Sequence, residues 1–359
     1  MSLISNNSRR KNQLASDWMH RGIDLLNTNT PVNLEEAVRC FDEAIALRRS
    51  LPLVENPRYR YGLAAGWMNR GDALARLGKK EQLDEAVRSY DEAIGLLRFL
   101  SLDEDPLFPR RLAIAWINRG FARQKEETAE AGNEAIRCFR EALAVLEDSP
   151  AAAIADLALL KAGAMTNLAG VLLNGSDQPS EESRNLAQQA LALIKESERN
   201  DATAAEAGFK ARHILCRAIA AESRDGKSIP SEMVATATDA VDEGLALARH
   251  WEQRGNSSFR TLAENLFRFG CRIYQTGQPR FLAEFILESL DPEKTDGVLP
   301  LNQDMHETAM VALWNALKEI QRDGFQSLST PRFQQVLENL WDLRVTEERL
   351  EQLRCKSSH

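Results

Sequence analysis

The chain has 359 residues, of which 43% are apolar and 6% aromatic, and its 45 basic and 53 acidic side chains give a net charge of −8. This apolar fraction excludes a chain that is disordered throughout, and the acidic balance excludes broad nucleic-acid binding, which requires a basic surface. No apolar run approaches the roughly 20 residues that a membrane helix needs. The five cysteines form no CxxC pair, which is typical of a reducing compartment. We therefore expect a cytoplasmic protein that binds neither nucleic acid nor membrane.

The first half of the chain repeats itself every 49 residues. Its first recurring segment has the copies Trp18–Gly22, Trp67–Gly71 and Trp116–Gly120. A second segment keeps the same step, with the copies Glu36–Ile45, Glu85–Ile94 and Glu134–Leu143. Fainter copies of the first segment continue at 165–169, 214–218 and 263–267. A constant period of this kind indicates stacked structural repeats, in which each repeat covers the apolar face of its neighbour.

Each repeat predicts two α-helices. Apolar residues recur at steps of three or four, the helical period, as Phe41, Ala44 and Ile45 show. The alternation typical of strands is absent, and the prolines lie between the periodic segments, where they can open a helix without interrupting one. For the second repeat the pattern predicts helices over Pro57–Leu77 and Leu83–Leu100. The sequence thus predicts an all-α fold.

The repeated residues resemble the tetratricopeptide repeat, a helix–turn–helix unit. In the second repeat the residues that match the family pattern are Trp67, Gly71, Leu74, Ala86, Tyr90 and Ala93. The resemblance covers about residues 14–290 and is clear in the first half. The repeat here is 49 residues long, against about 34 in the family, and the additional residues predict longer helices.

The resemblance implies a right-handed α–α superhelix, a tetratricopeptide-like solenoid that ends in a C-terminal helical cap. We expect an N-terminal tail over 1–13, the repeat array over 14–290 and a C-terminal helical capping region over 291–359. The alternative for 291–359 is a separate element for dimerisation or partner binding. Terminal repeats of a solenoid must close an apolar face that would otherwise meet water.

Asparagines recur at one position of the repeat, two residues after the tryptophan position. They are Asn69, Asn118, Asn167 and Asn265. The resemblance implies that this position faces the concave groove, where an amide can pair with a peptide main chain because it both donates and accepts. The equally weighted alternative is that these asparagines are only family consensus. Further groove positions implied by the resemblance are Asp72, Arg76, Lys125, Arg212, Arg268 and Arg272, a mainly basic set that favours an acidic partner segment.

A second polar row is formed by Arg21, Arg70 and Arg119, which also recur at one position of the repeat. We expect these arginines to form ion pairs with acidic residues of the neighbouring helices. The acidic candidates are Asp42, Glu43, Asp91 and Glu92. A row of arginines that binds a ligand is the less favoured alternative.

Catalytic and metal-binding patterns are missing from the sequence. Cys40 and Cys138 share one repeat position, which predicts small buried packing residues. The histidines have no zinc-site spacing, and neither a phosphate-binding loop nor a nucleophile motif is present. We expect that the protein is not an enzyme and needs no cofactor.

The leading hypothesis is a non-catalytic interaction scaffold that binds a peptide or protein segment in its concave groove. The alternative is a homo-oligomeric structural or assembly element, such as a homodimer, that associates through helix faces or the C-terminal cap.

Overall fold

The computed structural model describes residues 2–100, 105, 107–147, 155–175, 180–221, 229–263 and 265–266. The helices with described bounds are α1 (Ser2–Thr28), α2 (Pro31–Arg49), α3 (Pro57–Leu77), α4 (Lys80–Leu97), α5 (Leu107–Gln124), α6 (Ala129–Glu147), α7 (Ala155–Asn174), α8 (Ser180–Ile194), α9 (Ala202–Ala221) and α10 (Ser231–Gln253). Residues 260–263 and 265–266 are helical as well. The described residues contain no strand, so the all-α prediction is confirmed.

The chain divides into two compact units, Met1–Gln178 and Pro179–His359, called unit 1 and unit 2. In unit 1 each helix from α1 to α6 packs against the next helix in the chain. The odd-numbered helices α1, α3, α5 and α7 also contact one another in that order. In unit 2, α8 packs on α9 and α9 packs on α10. Consecutive helices therefore pack sequentially, as the repeat predicts.

The helix boundaries follow local sequence signals. Thr30 caps α2 by accepting from the Asn33 backbone N–H, and Pro31 occupies the first turn, where its missing N–H costs nothing. Helix α3 has the predicted bounds and ends at Gly78, whose φ of 76° is the left-handed conformation that glycine adopts without strain. Helix α4 begins at Lys80 and ends at Leu97, three residues earlier at each end than predicted.

A glycine and an aromatic ring join the two helices of each repeat. A Cβ atom at Gly71 would lie 2.7 Å from Cε1 of Tyr90, whose side chain is fully buried. The same contact occurs in the first and third repeats, as Gly22–Phe41 and Gly120–Phe139. Glycine therefore recurs here because the ring of the following helix lies directly against its backbone, and any side chain would displace the ring.

The three tryptophans of the repeat have similar surroundings. Each is half-buried and has the guanidinium of its own repeat's arginine beside its ring: Arg21 at Trp18, Arg70 at Trp67 and Arg119 at Trp116, with Cζ 5.5, 5.8 and 6.0 Å from the ring centroids. In the second and third repeats the preceding even-numbered helix adds another arginine. These pairs are Arg49–Trp67 at 4.8 Å and Arg98–Trp116 at 5.0 Å. The repeated tryptophan and arginine residues therefore pack against each other in the same way in each of the three repeats.

The predicted N-terminal tail over 1–13 is helical from Ser2 onward and belongs to α1. Neither proline nor glycine occurs between residues 2 and 21, so nothing in the sequence stops the helix there. Lys11 Nζ donates to Ser50 Oγ at 3.2 Å and ties this segment to the end of α2. The predicted capping region over 291–359 lies outside the described residues.

Helix α7 is the most apolar part of unit 1. Its stretch Leu157–Asn174 has the length and composition to cross a membrane, and half of that stretch is buried within the protein. A packed core helix is apolar for the same reason as a spanning helix. The composition of α7 therefore does not distinguish between the two.

Candidate functional site

The odd-numbered helices of unit 1 lie side by side and present a common surface, here called the odd-helix face. It is defined by three adjacent positions of the second and third repeats and by one asparagine of α7: Asn69, Asp72, Arg76, Asn118, Phe121, Lys125 and Asn167. Phe121 is exposed and meets Phe139 edge-on at 5.6 Å, while the three asparagines are half-buried. Most of the sequence-predicted groove residues therefore belong to one surface.

The centre of the odd-helix face is a carboxylate held by two donors. Asp72 Oδ1 accepts from the Tyr90 hydroxyl at 2.6 Å and from Asn118 Nδ2 at 2.9 Å. Burial raises the pKa of Asp72, and the two hydrogen bonds and the nearby charges of Arg76 and Arg111 offset this only in part. Burial and the Asp72 carboxylate both raise the pKa of Tyr90, which keeps its proton.

This carboxylate cluster occurs in the second repeat and has no counterpart in the first or third. The position of Asp72 is occupied by Ile23 and Phe121 in the other two repeats. The position of Tyr90 is likewise occupied by phenylalanine in both, at residues 41 and 139. The second repeat therefore departs from the other two at two positions that contact each other, because the tyrosine adds the hydroxyl that a carboxylate needs when it is removed from water.

The hydrogen bond to Asp72 also determines the orientation of the Asn118 amide. A carboxylate only accepts, so Asn118 must turn its NH2 group toward it. The carbonyl oxygen of Asn118 then remains as an acceptor that points away from Asp72. Asn69 and Asn167 have the corresponding positions on α3 and α7, and neither forms a side-chain hydrogen bond within the described ranges.

The two cations of the odd-helix face cap neighbouring helices. Arg76 Nη1 donates to the Leu26 carbonyl oxygen at 3.0 Å, and Lys125 Nζ donates to the Ala75 carbonyl oxygen at 2.7 Å. Each acceptor lies in the last turn of the preceding odd-numbered helix, where carbonyls lack partners within the helix. Both cations are exposed and retain further donors toward solvent.

The remaining predicted groove residues lie elsewhere. Asn265 is exposed and belongs to unit 2. Arg268 and Arg272 lie outside the described residues. Arg212, expected at the groove, is 3% exposed and pairs with Glu198 at 2.5 Å inside unit 2. This expectation is corrected because the helices no longer follow the period of 49 after the third repeat, so the repeat position assigned to Arg212 does not apply.

The arginine row forms the ion pairs that were predicted, with one change of partner. Arg70 Nε lies 2.7 Å from Asp42, and Arg119 Nε lies 2.7 Å from Asp91. Each of these arginines also pairs with a second carboxylate. It belongs to the first turns of the following helix and is not the predicted Glu43 or Glu92. These pairs are Arg70–Glu85 at 3.0 Å and Arg119–Glu134 at 3.6 Å. Arg70 and Arg119 therefore each link their own repeat to the preceding one, whereas Arg21 of the first repeat pairs with Glu36 of its own repeat at 3.3 Å.

The described cysteines are packing residues. Cys40, Cys138 and Cys216 are buried as free thiols, and burial raises the pKa of all three, that of Cys216 to about 12. No group of three or more metal-ligating side chains occurs among the residues that the structure describes.

Neither a family model nor a curated protein matches the chain. The odd-helix face is thus the candidate site that the contacts themselves support.

Sequence reasoning missed Phe121 as a member of this surface and Tyr90 as the buried donor to Asp72 beneath it. The available signal was the departure of one repeat from its neighbours: a tyrosine where the others have phenylalanine, and an aspartate where the others have apolar residues. A hydroxyl and a carboxylate that appear together in one repeat predict a mutual contact.

Proposed function

We propose that the chain is a non-catalytic scaffold of the tetratricopeptide type. It binds an extended segment of a partner protein along the odd-helix face, which would be the concave groove of a right-handed superhelix. The observation that carries this proposal is the partly buried carboxylate of Asp72 with its donors Tyr90 and Asn118. Burying a carboxylate is costly, and the first and third repeats fold with apolar residues at the same position. Packing therefore does not require it.

The odd-helix face offers hydrogen bonds that suit a peptide main chain. Asn118 presents a carbonyl oxygen for a backbone N–H, and the amides of Asn69 and Asn167 can donate and accept. Exposed Phe121 offers an apolar contact beside them. Arg76 and Lys125 outnumber the single acid Asp72 on this face, which supports an acidic segment as the partner.

Binding is tested with peptides selected from a random phage-displayed library on the immobilised full chain. The affinity of a selected synthetic peptide is then measured by calorimetry for wild type and for Asn118→Ala/Asn167→Ala. Loss of two hydrogen bonds at about 0.5–1.5 kcal/mol each should weaken binding by about tenfold. The matched control is Asn133→Ala, an exposed asparagine of α6. Equal affinity for the double variant and wild type would remove the asparagines from the proposal.

The rival function is a homo-oligomeric assembly element that associates through helix faces or the C-terminal cap, and the exposed side of α1 opposes one such face, that of the first repeat. Asp24 is exposed at the position where the second and third repeats have the fully buried Ala73 and Ala122. Asp17 is likewise exposed at the position of the fully buried Ala115. Stacking a further repeat there would bury two unpaired carboxylates. Light scattering at high protein concentration separates the two functions, since the scaffold proposal expects a monomer.

A further inference from the structure

Basic side chains are concentrated at one edge of unit 1, where α1, α3 and α5 begin and α2 and α4 end. This basic edge consists of Arg9, Arg10, Lys11, Arg49, Arg58, Arg60, Arg98, Arg110 and Arg111. Among the described residues, the connections at the same edge contribute two acids, Glu55 and Asp105, and Glu141 of α6 pairs with Arg98 at 3.4 Å. A region of net positive charge therefore exists in a protein whose total charge is −8.

Helix electrostatics does not explain the basic edge. Arg58 and Arg60 lie in the first turn of α3 and Arg110 in that of α5, where the helix dipole disfavours positive charge. None of α1, α3 and α5 has an acidic residue in its first turn. Helices α4 and α6 begin at the opposite edge and carry Glu81 and Glu130 there, as the dipole favours. Arg58, Arg60 and Arg110 are thus placed against local helix stability, whereas Arg49 and Arg98, at the ends of α2 and α4, lie where the dipole favours positive charge.

Exposed apolar side chains project from the same edge. Val54 lies in the loop between α2 and α3 and is 87% exposed, and Phe99 follows α4 and is 77% exposed. Arg60 lies next to Phe99, with its Cζ 5.8 Å from the ring centroid and its Nη1 donating to the Phe99 carbonyl oxygen at 3.1 Å. The neighbouring Leu51 and Leu100 are buried and anchor the two loops. The described residues of each loop therefore include a leucine in the core and an apolar side chain in solvent.

We propose that the basic edge docks unit 1 on a lipid surface that carries anionic headgroups. The arginines would lie at the headgroups while Val54 and Phe99 insert into the apolar layer beneath them. Basic residues contribute about 1 kcal/mol each near an anionic leaflet, and protruding apolar groups add affinity when they enter the interface. This is peripheral attachment, which needs no spanning helix, and it departs from the expectation, drawn from the overall composition, that the protein binds no membrane. It uses a different surface from the odd-helix face and does not depend on the proposed scaffold function.

The apolar tips favour lipid over nucleic acid as the occupant. Single-stranded nucleic acid is held by phosphate contacts together with rings on which bases stack, and Val54 offers no such ring. Two apolar tips on successive loops with arginines around them match a surface that is charged outside and apolar beneath, which describes a lipid interface.

Vesicle co-sedimentation of the full chain tests the proposal. Wild type should sediment with vesicles of phosphatidylcholine containing roughly 30% phosphatidylserine, and should stay in solution with phosphatidylcholine alone. Raising the salt from about 0.05 M to about 0.5 M should reduce binding strongly, because exposed charges are then screened. Absence of sedimentation with the anionic vesicles at low salt would overturn the proposal.

Two sets of variants assign the binding to the basic edge. Arg9→Glu/Arg10→Glu/Arg58→Glu changes three exposed arginines that form no ion pair within the described ranges, and should lower the partition coefficient by at least about 100-fold. The matched control, Arg39→Glu/Arg88→Glu/Arg137→Glu, makes the same charge change at exposed positions of α2, α4 and α6 and should retain most of the binding. Equal loss in both triple variants would overturn the proposal.

The insertion of the apolar tips is tested at constant charge. Val54→Ser/Phe99→Ser should weaken vesicle binding by about tenfold or more, because apolar area no longer enters the lipid. Val32→Ser is the control, since Val32 is 76% exposed at the opposite edge. Circular dichroism confirms that each variant is folded. Binding of single-stranded DNA or polyglutamate through the same arginines, in preference to vesicles, would also contradict the proposal.

Discussion

Units 1 and 2 each place arginines between helices, in contrasting ways. In unit 1, Arg70 and Arg119 are 18% and 17% exposed, rest beside a tryptophan ring and pair with partly exposed carboxylates. In unit 2, Arg212 is enclosed and pairs with the equally enclosed Glu198, while Glu243 supplies a third charge at 3.1 Å. Burial alone would lower the pKa of Arg212, but the two carboxylates outweigh it and raise the pKa overall.

This difference shows what sequence repetition does for structure. Where the repeat is strong, the same arginine contact is built twice with the same geometry. Where the repeat is faint, a buried network of one arginine and two carboxylates replaces it. Gly208 belongs to this network, because any side chain there would collide with the Glu198 carboxylate. The arginine contacts of unit 1 therefore recur with the sequence repeat, whereas those of unit 2 depend on one local arrangement.

The largest expected effect comes from removing the buried arginine. Arg212→Met leaves Glu198 buried without its cation and should lower the free energy of unfolding of unit 2 by about 3–5 kcal/mol. The measurement is denaturant unfolding together with hydrogen exchange of α9.

Two further variants complete the comparison of the buried and the half-exposed arginines. Arg119→Met in unit 1 should cost about 1 kcal/mol or less, because its acidic partners stay in contact with water. Arg212→Met/Glu198→Leu should recover most of the loss, since both charges are gone. A loss from Arg119→Met as large as that from Arg212→Met would erase the distinction between the two units.

An intermediate effect is expected from the glycine–aromatic contact. Gly71→Leu forces the Tyr90 ring away from α3 and should destabilise unit 1 by about 1–3 kcal/mol, measured by thermal or denaturant unfolding. Gly95→Ala is the control: no atom lies within 4 Å of its added Cβ, so this change within helix α4 should stabilise by up to about 1 kcal/mol. An unchanged transition for Gly71→Leu would show that the ring can move without cost.

The smallest effect concerns the pH dependence of the second repeat. Because the pKa of Asp72 is raised above its ordinary value of 3.8, the folded chain holds this proton more tightly than the unfolded chain. Asp72 therefore makes the free energy of unfolding fall as the pH rises from about 4 through the raised value.

Comparison with Asp72→Asn isolates this contribution. The variant keeps an acceptor for Tyr90 and Asn118 and should lack this component of the decline in urea unfolding between about pH 4 and pH 7. Asp24→Asn, at an exposed position of α1, is the control and should preserve the wild-type slope. Identical pH profiles for wild type and Asp72→Asn would show that the carboxylate is not desolvated as described.

The sequence predicted the helices well and their ends less evenly. Helix α3 was placed correctly because Pro57 and Gly78 mark its limits. The start of α4 was missed because Lys79 is not a typical capping residue, and its backbone N–H is satisfied by the Gln82 side chain at 3.2 Å. Such a contact depends on a side-chain conformation that periodicity does not contain.

The sequence register predicted which positions the residues of the candidate site occupy, but it did not predict the contacts between them. The repeat placed Asn69, Asn118 and Asn167 on corresponding positions, and this required only counting. The bond between Asp72 and Asn118 joins two repeats, so it depends on how α3 and α5 pack against each other. Counting failed altogether at Arg212, because α8 begins 51 residues after α6 and shifts every later position.

Arg76 and Lys125 each cap an odd-numbered helix that precedes them in the chain, so these contacts run in one direction along the polypeptide. The last turns of α1 and α3 are completed by a cation that lies about 50 residues further along the chain. As the protein leaves the ribosome, each hairpin therefore emerges with an unfinished end that only the next hairpin completes. Assembly of unit 1 is in this sense sequential, with every newly made repeat closing the one synthesised before it.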